Sequence, residues 1–143
     1  MAEHPKLVLI LGDISVHAFR RAFERFPDRC FNVGVCEQTM VGAAAGFAKE
    51  GFLPVVHTIA SFLVRRAYEQ IYVDFGLQEL AGIFVTVGAG GSYAALGPTH
   101  SCGEDIRLMD QVPGMVTEIA SRPYVEKYLR EAVGHRQLTY IRL

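Results

Sequence analysis

The sequence predicts a single α/β domain over residues 1–143, with three layers: a mostly parallel, twisted sheet and helices on both faces. Three observations predict it. Apolar runs alternate with stretches of helical character along the whole chain, as in consecutive βα units. The runs are short and continuous, which suits strands buried on both faces. Polar and glycine-rich residues follow one run after another, as they do where loops at the carboxyl edge of a parallel sheet face a ligand.

Lys6 to Leu11 (KLVLIL) reads as the first strand. Ser15 to Phe26 reads as a helix, with Ser15 as N-cap and Val16, Phe19, Phe23 and Phe26 near helical spacing. Phe31 to Val33 is a short strand, and Glu37 to Glu50 a helix rich in alanine and glycine, whose small residues permit close backbone approach. Leu53 to His57 is a strand and Ser61 to Asp74 a helix. Gly82 to Val87 is a strand, followed by a glycine-rich loop, Gly88 to Ser101. Glu104 to Gln111 is a short helix, Met115 to Ile119 a strand, Tyr124 to Val133 a helix, and Leu138 to Leu143 the last strand. The chemistry is therefore expected just after Leu11, Val33, His57 and Val87, at Gly12-Asp13, Gly34 to Glu37, Thr58 to Phe62 and Gly88 to His100.

Bulk properties narrow the function. Half of the 143 residues are hydrophobic and a fifth are charged, enough apolar material for a core. The formal net charge of −1 implies neither nucleic acid nor an anionic membrane as partner. No apolar stretch approaches the roughly 20 residues that span a bilayer. The opening residues lack the pattern of a signal peptide. Cys30, Cys36 and Cys102 show no CxxC spacing, so no disulfide framework is expected and a cytoplasmic setting is.

Individual motifs weigh less than their order. Gly88-Ala89-Gly90-Gly91 follows a strand, but Tyr93 stands where a dinucleotide loop needs its third glycine. No phosphate-binding G-x-x-x-x-G-K-[ST] is present. His100 with Cys102, or Cys30 with Cys36, lacks the repeated ligand pair of a zinc site, so no metal ligands are assigned. Glu37 opens a helix after a strand, and spacing leaves it as either a helix-start carboxylate or a functional acid. Arg65-Arg66 is either a solvated face or an anion clamp. His100 lies in a loop at the ligand-facing edge, where histidines lean toward function.

Several segments stand in series: Phe26 to Gln38 (FPDRCFNVGVCEQ), Met40 to Ala48 (MVGAAAGFA), Thr58 to Leu63 with Arg66 to Ile71, Gly97-Pro98-Thr99-His100 with Glu104-Asp105-Ile106, Pro113-Gly114-Met115 and Tyr140 to Leu143. Together they resemble the pyrimidine-binding domain of the transketolase superfamily, the type related to 1-deoxyxylulose-5-phosphate synthase and found as a C-terminal section or separate subunit. The resemblance implies the thiamine-diphosphate-binding fold and that cofactor. It implies that Glu37 is the catalytic acid/base at N1′ of the aminopyrimidine and that Phe62 stacks on its ring. Ile59 falls where some relatives place a second aromatic, and Asp13 matches an acidic position near the thiazolium. His100 matches a catalytic histidine at the substrate entrance. Arg65 and Arg66 fall in a region that binds substrate or cofactor-proximal groups.

The resemblance also implies a divided site. In the family a second domain with a GDG…N motif holds the diphosphate through Mg²⁺. Here Gly12-Asp13 is followed by Ile14, so the metal is expected on a partner domain or subunit, in a homo- or hetero-oligomer. Sugar enzymes of the family read GEDGPTH, whereas here Leu96 stands in the acidic position, which turns the expectation away from ordinary pentose phosphates. Gly88 stands where transketolase proper has a histidine, and the usual PAD turn after Met115 is missing. The function implied is transfer of ketol or aldehyde units between sugar-like substrates. The alternative is a non-catalytic assembly or regulatory module derived from such a domain.

Overall fold

A computed structural model describes residues 1–143, apart from the side chain of Arg122. Six strands form one sheet: β1 (Leu7–Leu11), β2 (Cys30–Asn32), β3 (Leu53–Ile59), β4 (Gly82–Val87), β5 (Val116–Ile119) and β6 (Leu138–Arg142). Their order is β2-β1-β3-β4-β6-β5 and every pairing is parallel. The connections are α1 (Arg20–Arg25), α2 (Glu37–Lys49), α3 (Ala60–Arg66), α4 (Tyr68–Gln70), α5 (Asp105–Met109) and α6 (Val125–His135).

The two-residue period of a strand sends alternate side chains to opposite faces. Val8, Ile10, Val56, Phe84 and Tyr140 meet α2, α3 and α5 on one face. Leu53, Ile83, Val85 and Ile141 meet α6 on the other, and Leu9 and Leu11 pack there against Phe19, Phe23 and Phe26 around α1. Both faces are apolar, which is why the strands read as continuous apolar runs. Among the described residues no helix is long and apolar enough to cross a membrane.

Two expected helices differ. Ser15 is not an N-cap: its φ of 59° is left-handed, whereas a cap needs extended backbone, and the helix starts only at Arg20. The expected helix over Ser61 to Asp74 is broken at Ala67 (φ −120°, ψ 17°) and continues through α4 into a π-helical turn, Ile71–Gly76. The glycine-rich stretch contains two 3₁₀ turns, Ala94–Leu96 and Pro98–His100.

A buried polar network pins α5 to the sheet. The Tyr140 hydroxyl donates to Asp105 Oδ2 at 2.7 Å and accepts from the Thr86 hydroxyl at 2.8 Å. Arg142 Nη1 stands 3.3 Å from Asp105 Oδ1, neutralising the carboxylate without an aligned hydrogen bond to that oxygen. Burial pushes the Tyr140 phenol far above its ordinary pKa, so it remains a donor. Tyr140→Phe removes that donor and leaves a buried carboxylate oxygen unpaired. It should cost about 1–3 kcal/mol in urea unfolding; an unchanged midpoint would contradict this account of the network.

Candidate functional site

After β1 the chain passes through α1 to β2 on one side. After β3 it passes through α3 to β4 on the other, over the opposite face. The β1/β3 boundary is thus the topological switch point, where loops diverge and leave a crevice. The register sets Leu11 opposite His57, so Gly12 and Asp13 lie beside the last turn of β3. Gly12 is confined there, since a Cβ would fall 2.9 Å from Thr58 Oγ1. Gly34, at φ 78°, turns the chain from β2 into α2 and makes Glu37 the first helical residue.

Glu37 is only 2% exposed. Its Oε2 accepts a hydrogen bond from Arg66 Nη1 at 3.1 Å. Its Oε1 is buried and has no hydrogen-bond partner among the described residues. A buried carboxylate oxygen left without a donor is destabilising by about 1–3 kcal/mol, which a ligand N–H would relieve. The helix N-terminus supplies favourable dipole to the charge.

Around this carboxylate the structure gathers the other expected residues of α3 and the following loop. The Arg66 guanidinium lies over the Phe62 ring, 3.9 Å from its centroid. His100 meets the same ring edge-on, with centroids 4.9 Å apart. Ser61 Oγ donates to the Thr99 carbonyl at 2.8 Å, and Arg65 Nη1 to the Pro98 carbonyl at 3.3 Å. Arg65 also pairs with Glu104 at 2.6 Å, which holds the Glu104 carboxyl below its usual pKa. Arg65 therefore faces the His100 loop and Arg66 faces Glu37, so the adjacent arginines do different things. Asp13 is exposed, at φ 58°; its N–H donates to Asn32 Oδ1 and its Oδ1 accepts from Asn32 Nδ2, both at 3.0 Å. Ile59 ends β3 half-buried, directly before α3.

The comparisons with known proteins fall on the same chain segment. The family described as "Transketolase, pyrimidine binding domain" matches residues 1–143. The chain belongs to that family. A 1-deoxy-D-xylulose-5-phosphate synthase of Syntrophus aciditrophicus is 43% identical over 115 residues, covering 80% of this chain and 17% of that enzyme. An uncharacterized 33.6 kDa protein in the fasciation locus of Rhodococcoides fascians is 36% identical over 140 residues, covering 97% of this chain and 45% of that one. The solved structure called "Split gene transketolase, inactive beta4 tetramer" superposes with a TM-score of 0.85 at 31% identity, covering 99% of this chain and 46% of that one. The Campylobacter jejuni transketolase, at 16% identity and a TM-score of 0.78, shares the fold. The chain spans less than half the length of these relatives.

Within this pyrimidine-binding domain, some features of the site are not evident from the sequence. Gly88 has φ 85°, and a Cβ there would stand 2.8 Å from Tyr93 Cε2 and 3.5 Å from Ile59 Cγ2. The Tyr93 ring thus fills the space beside Ile59 that a side chain at position 88 would need. Leu96 is 60% exposed in the turn before His100. Cys102 is fully buried beside Glu104 and Asp105, and burial first, then those carboxylates, pushes its thiol up to about 11, which keeps it unreactive. A groove of about 600 Å³ lies between the N-terminal residues and α6 and includes none of the residues around Glu37.

Under the crevice, His57 is buried and bonded at both nitrogens. Nδ1 is 2.9 Å from the Val85 carbonyl, so it carries the proton, and Nε2 accepts from Ser15 Oγ at 3.0 Å. Burial lowers its pKa from 6.5, and the Val85 bond opposes that only in part. The unfolded chain therefore takes up a proton before the folded protein does, so acidification below about pH 6.5 favours unfolding. Stability should fall from about pH 7 to about pH 5, and His57→Asn should flatten that slope in urea titrations. An identical slope in the variant would remove His57 from the account.

Proposed function

We propose that this chain is the aminopyrimidine-binding half of a thiamine-diphosphate-dependent enzyme of the transketolase type, working with a second domain or subunit that holds the diphosphate and Mg²⁺. The observation that carries this reading is the buried Glu37 carboxylate with one oxygen left unpartnered beside an aromatic face. That arrangement fits a flat heterocycle with a ring nitrogen to share a proton and a π-face to stack. When bound, thiamine diphosphate supplies a carbon nucleophile and an electron sink for cleaving and forming bonds next to a carbonyl.

This chain's own part is binding, orientation and proton movement. Glu37 holds or gives a proton at the ring nitrogen, in a dry setting that keeps the exchange directed. Phe62 offers the stacking face, and Ile59 continues the apolar wall. Asp13, fixed by Asn32, stands at the crevice for the thiazolium side. His100, held against Phe62 with Nδ1 2.9 Å from Thr99 Oγ1, serves the substrate at the entrance. Arg65 acts in substrate binding by setting the position of the Pro98–His100 turn.

The substrates are sugar-like carbonyl compounds whose ketol or aldehyde units are exchanged. Leu96 offers an apolar group near the entrance, which suits a substrate without a hydroxyl demanding an acidic partner there. The partial coverage of these relatives supports a partner carrying the metal-binding half, in a homo- or hetero-oligomer. The exposed Val35, at 61%, beside Glu37 in sequence offers apolar surface for such a contact.

The test is reconstitution with a chain carrying a GDG…N motif. Turnover should require thiamine diphosphate and Mg²⁺, and Glu37→Gln should lower kcat by about 100-fold or more while assembly, read by light scattering, is unchanged. Full activity in Glu37→Gln would refute the reading. Assembly without turnover, in wild type and variant alike, would favour a non-catalytic module.

A further inference from the structure

We infer that Arg66 is the internal occupant of the aminopyrimidine seat and is displaced when the cofactor binds. The inference rests on the cofactor reading above. A heterocycle that uses this site has two determinants, the Glu37 carboxylate and the Phe62 face. Arg66 holds both: Nη1 bonds Glu37 Oε2 at 3.1 Å, and the guanidinium Cζ sits over the Phe62 ring, 3.9 Å from its centroid. A guanidinium resembles the ligand it stands in for, being flat, delocalised, furnished with N–H donors and able to stack.

Access makes the same point. Glu37 is 2% exposed and its free Oε1 is sealed from solvent, so no ligand reaches it in this arrangement. Arg66 is the side chain bonded to that carboxylate, and it is itself 45% exposed. It therefore connects the buried carboxylate to the surface. It is also the last residue of α3, ahead of the break at Ala67, so its side chain can swing outward without unwinding a helix. While Arg66 is in place, Glu37 keeps a counter-charge; once it leaves, the carboxylate is released to share a proton with the ring.

The consequence is a competition. Removing the guanidinium vacates the seat, and ligand binding should become tighter rather than weaker. A residue that instead clasps the cofactor from above would give the opposite result.

The probe is thiamine added to the full chain, followed by NMR, which reads weak binding as well as strong. In the wild type, the Arg66 side-chain Nε–H resonance should carry the ring-current shift of Phe62 and lose it as thiamine saturates. Arg66→Met should bind thiamine about tenfold more tightly, in keeping with loss of one cation–π contact and one ion pair. Arg66→Lys keeps the counter-charge without the stacking plane, and should fall between the two; it serves where Arg66→Met fails to fold. Equal or weaker binding by the folded variant overturns the inference, and so does an Arg66 resonance unmoved at saturation. Either result leaves the cofactor reading intact if the wild type binds. Binding by neither wild type nor variant removes the cofactor reading, and this inference with it.

Discussion

The parallel pairing of β1 with β3, Leu11 opposite His57, fixes where everything else can be. Parallel strands end on one edge, and the connections from these two strands leave toward opposite sides and over opposite faces. The backbone must open between them. Gly12, the start of α3 and the entry to α2 converge on that opening, so groups from three distant segments share one crevice. Ser61 and Arg65 then fasten the Pro98–His100 turn to α3. The Tyr140–Asp105 bond fastens the following helix to the sheet. The first attachment sets the Pro98–His100 turn beside α3, where His100 meets Phe62.

Within the crevice, burial and pairing are uneven. Asp105 is as buried as Glu37, yet it faces Tyr140 and Arg142 from two sides. That carboxylate is spent on structure. Glu37 has one partner, half exposed, and one empty oxygen. A buried carboxylate oxygen without a hydrogen bond is where a ligand donor gains most. Asp105 Oδ1 also lacks a hydrogen bond, but that carboxylate is held by both Tyr140 and Arg142 of β6, whereas Glu37 is held by Arg66 alone.

Much of the sheet was legible in the sequence, because strands covered on both faces must be apolar throughout. The runs at Lys6 to Leu11, Gly82 to Val87 and Leu138 to Leu143 hardly exceed the strands they form. The helix at Glu37 was also legible from its place after a strand and its small residues. The failures have local causes. Ser15 has a cap's composition but a left-handed backbone, since its hydroxyl is held by His57, 42 positions away. The segment from Ser61 to Asp74 has unbroken helical composition, but packing imposes a break and a π-helical turn. The placement of the candidate residues was legible: Asp13, Glu37, Ile59, Phe62, Arg65, Arg66 and His100 all come to one edge. Their division of labour was not. Nothing in the Arg65-Arg66 pair says that one meets Glu104 and the other Glu37, and nothing in the glycine-rich loop says that the Tyr93 ring fills the space at Gly88. Such pairings depend on distances between segments that only the folded chain sets.

The central claim is that the Glu37 carboxylate accepts the aminopyrimidine. The most direct measurement is ¹³C NMR of the side-chain carboxyls in the full chain during titration with thiamine. The chain has 15 Asp and Glu residues, so selectivity can be read against an internal background. The Glu37 carboxyl should shift saturably with one equivalent, while Asp105, held by Tyr140 and Arg142, stays still. A Glu37 signal that does not move at saturation, or a shift shared equally by the surface carboxyls, would contradict the claim.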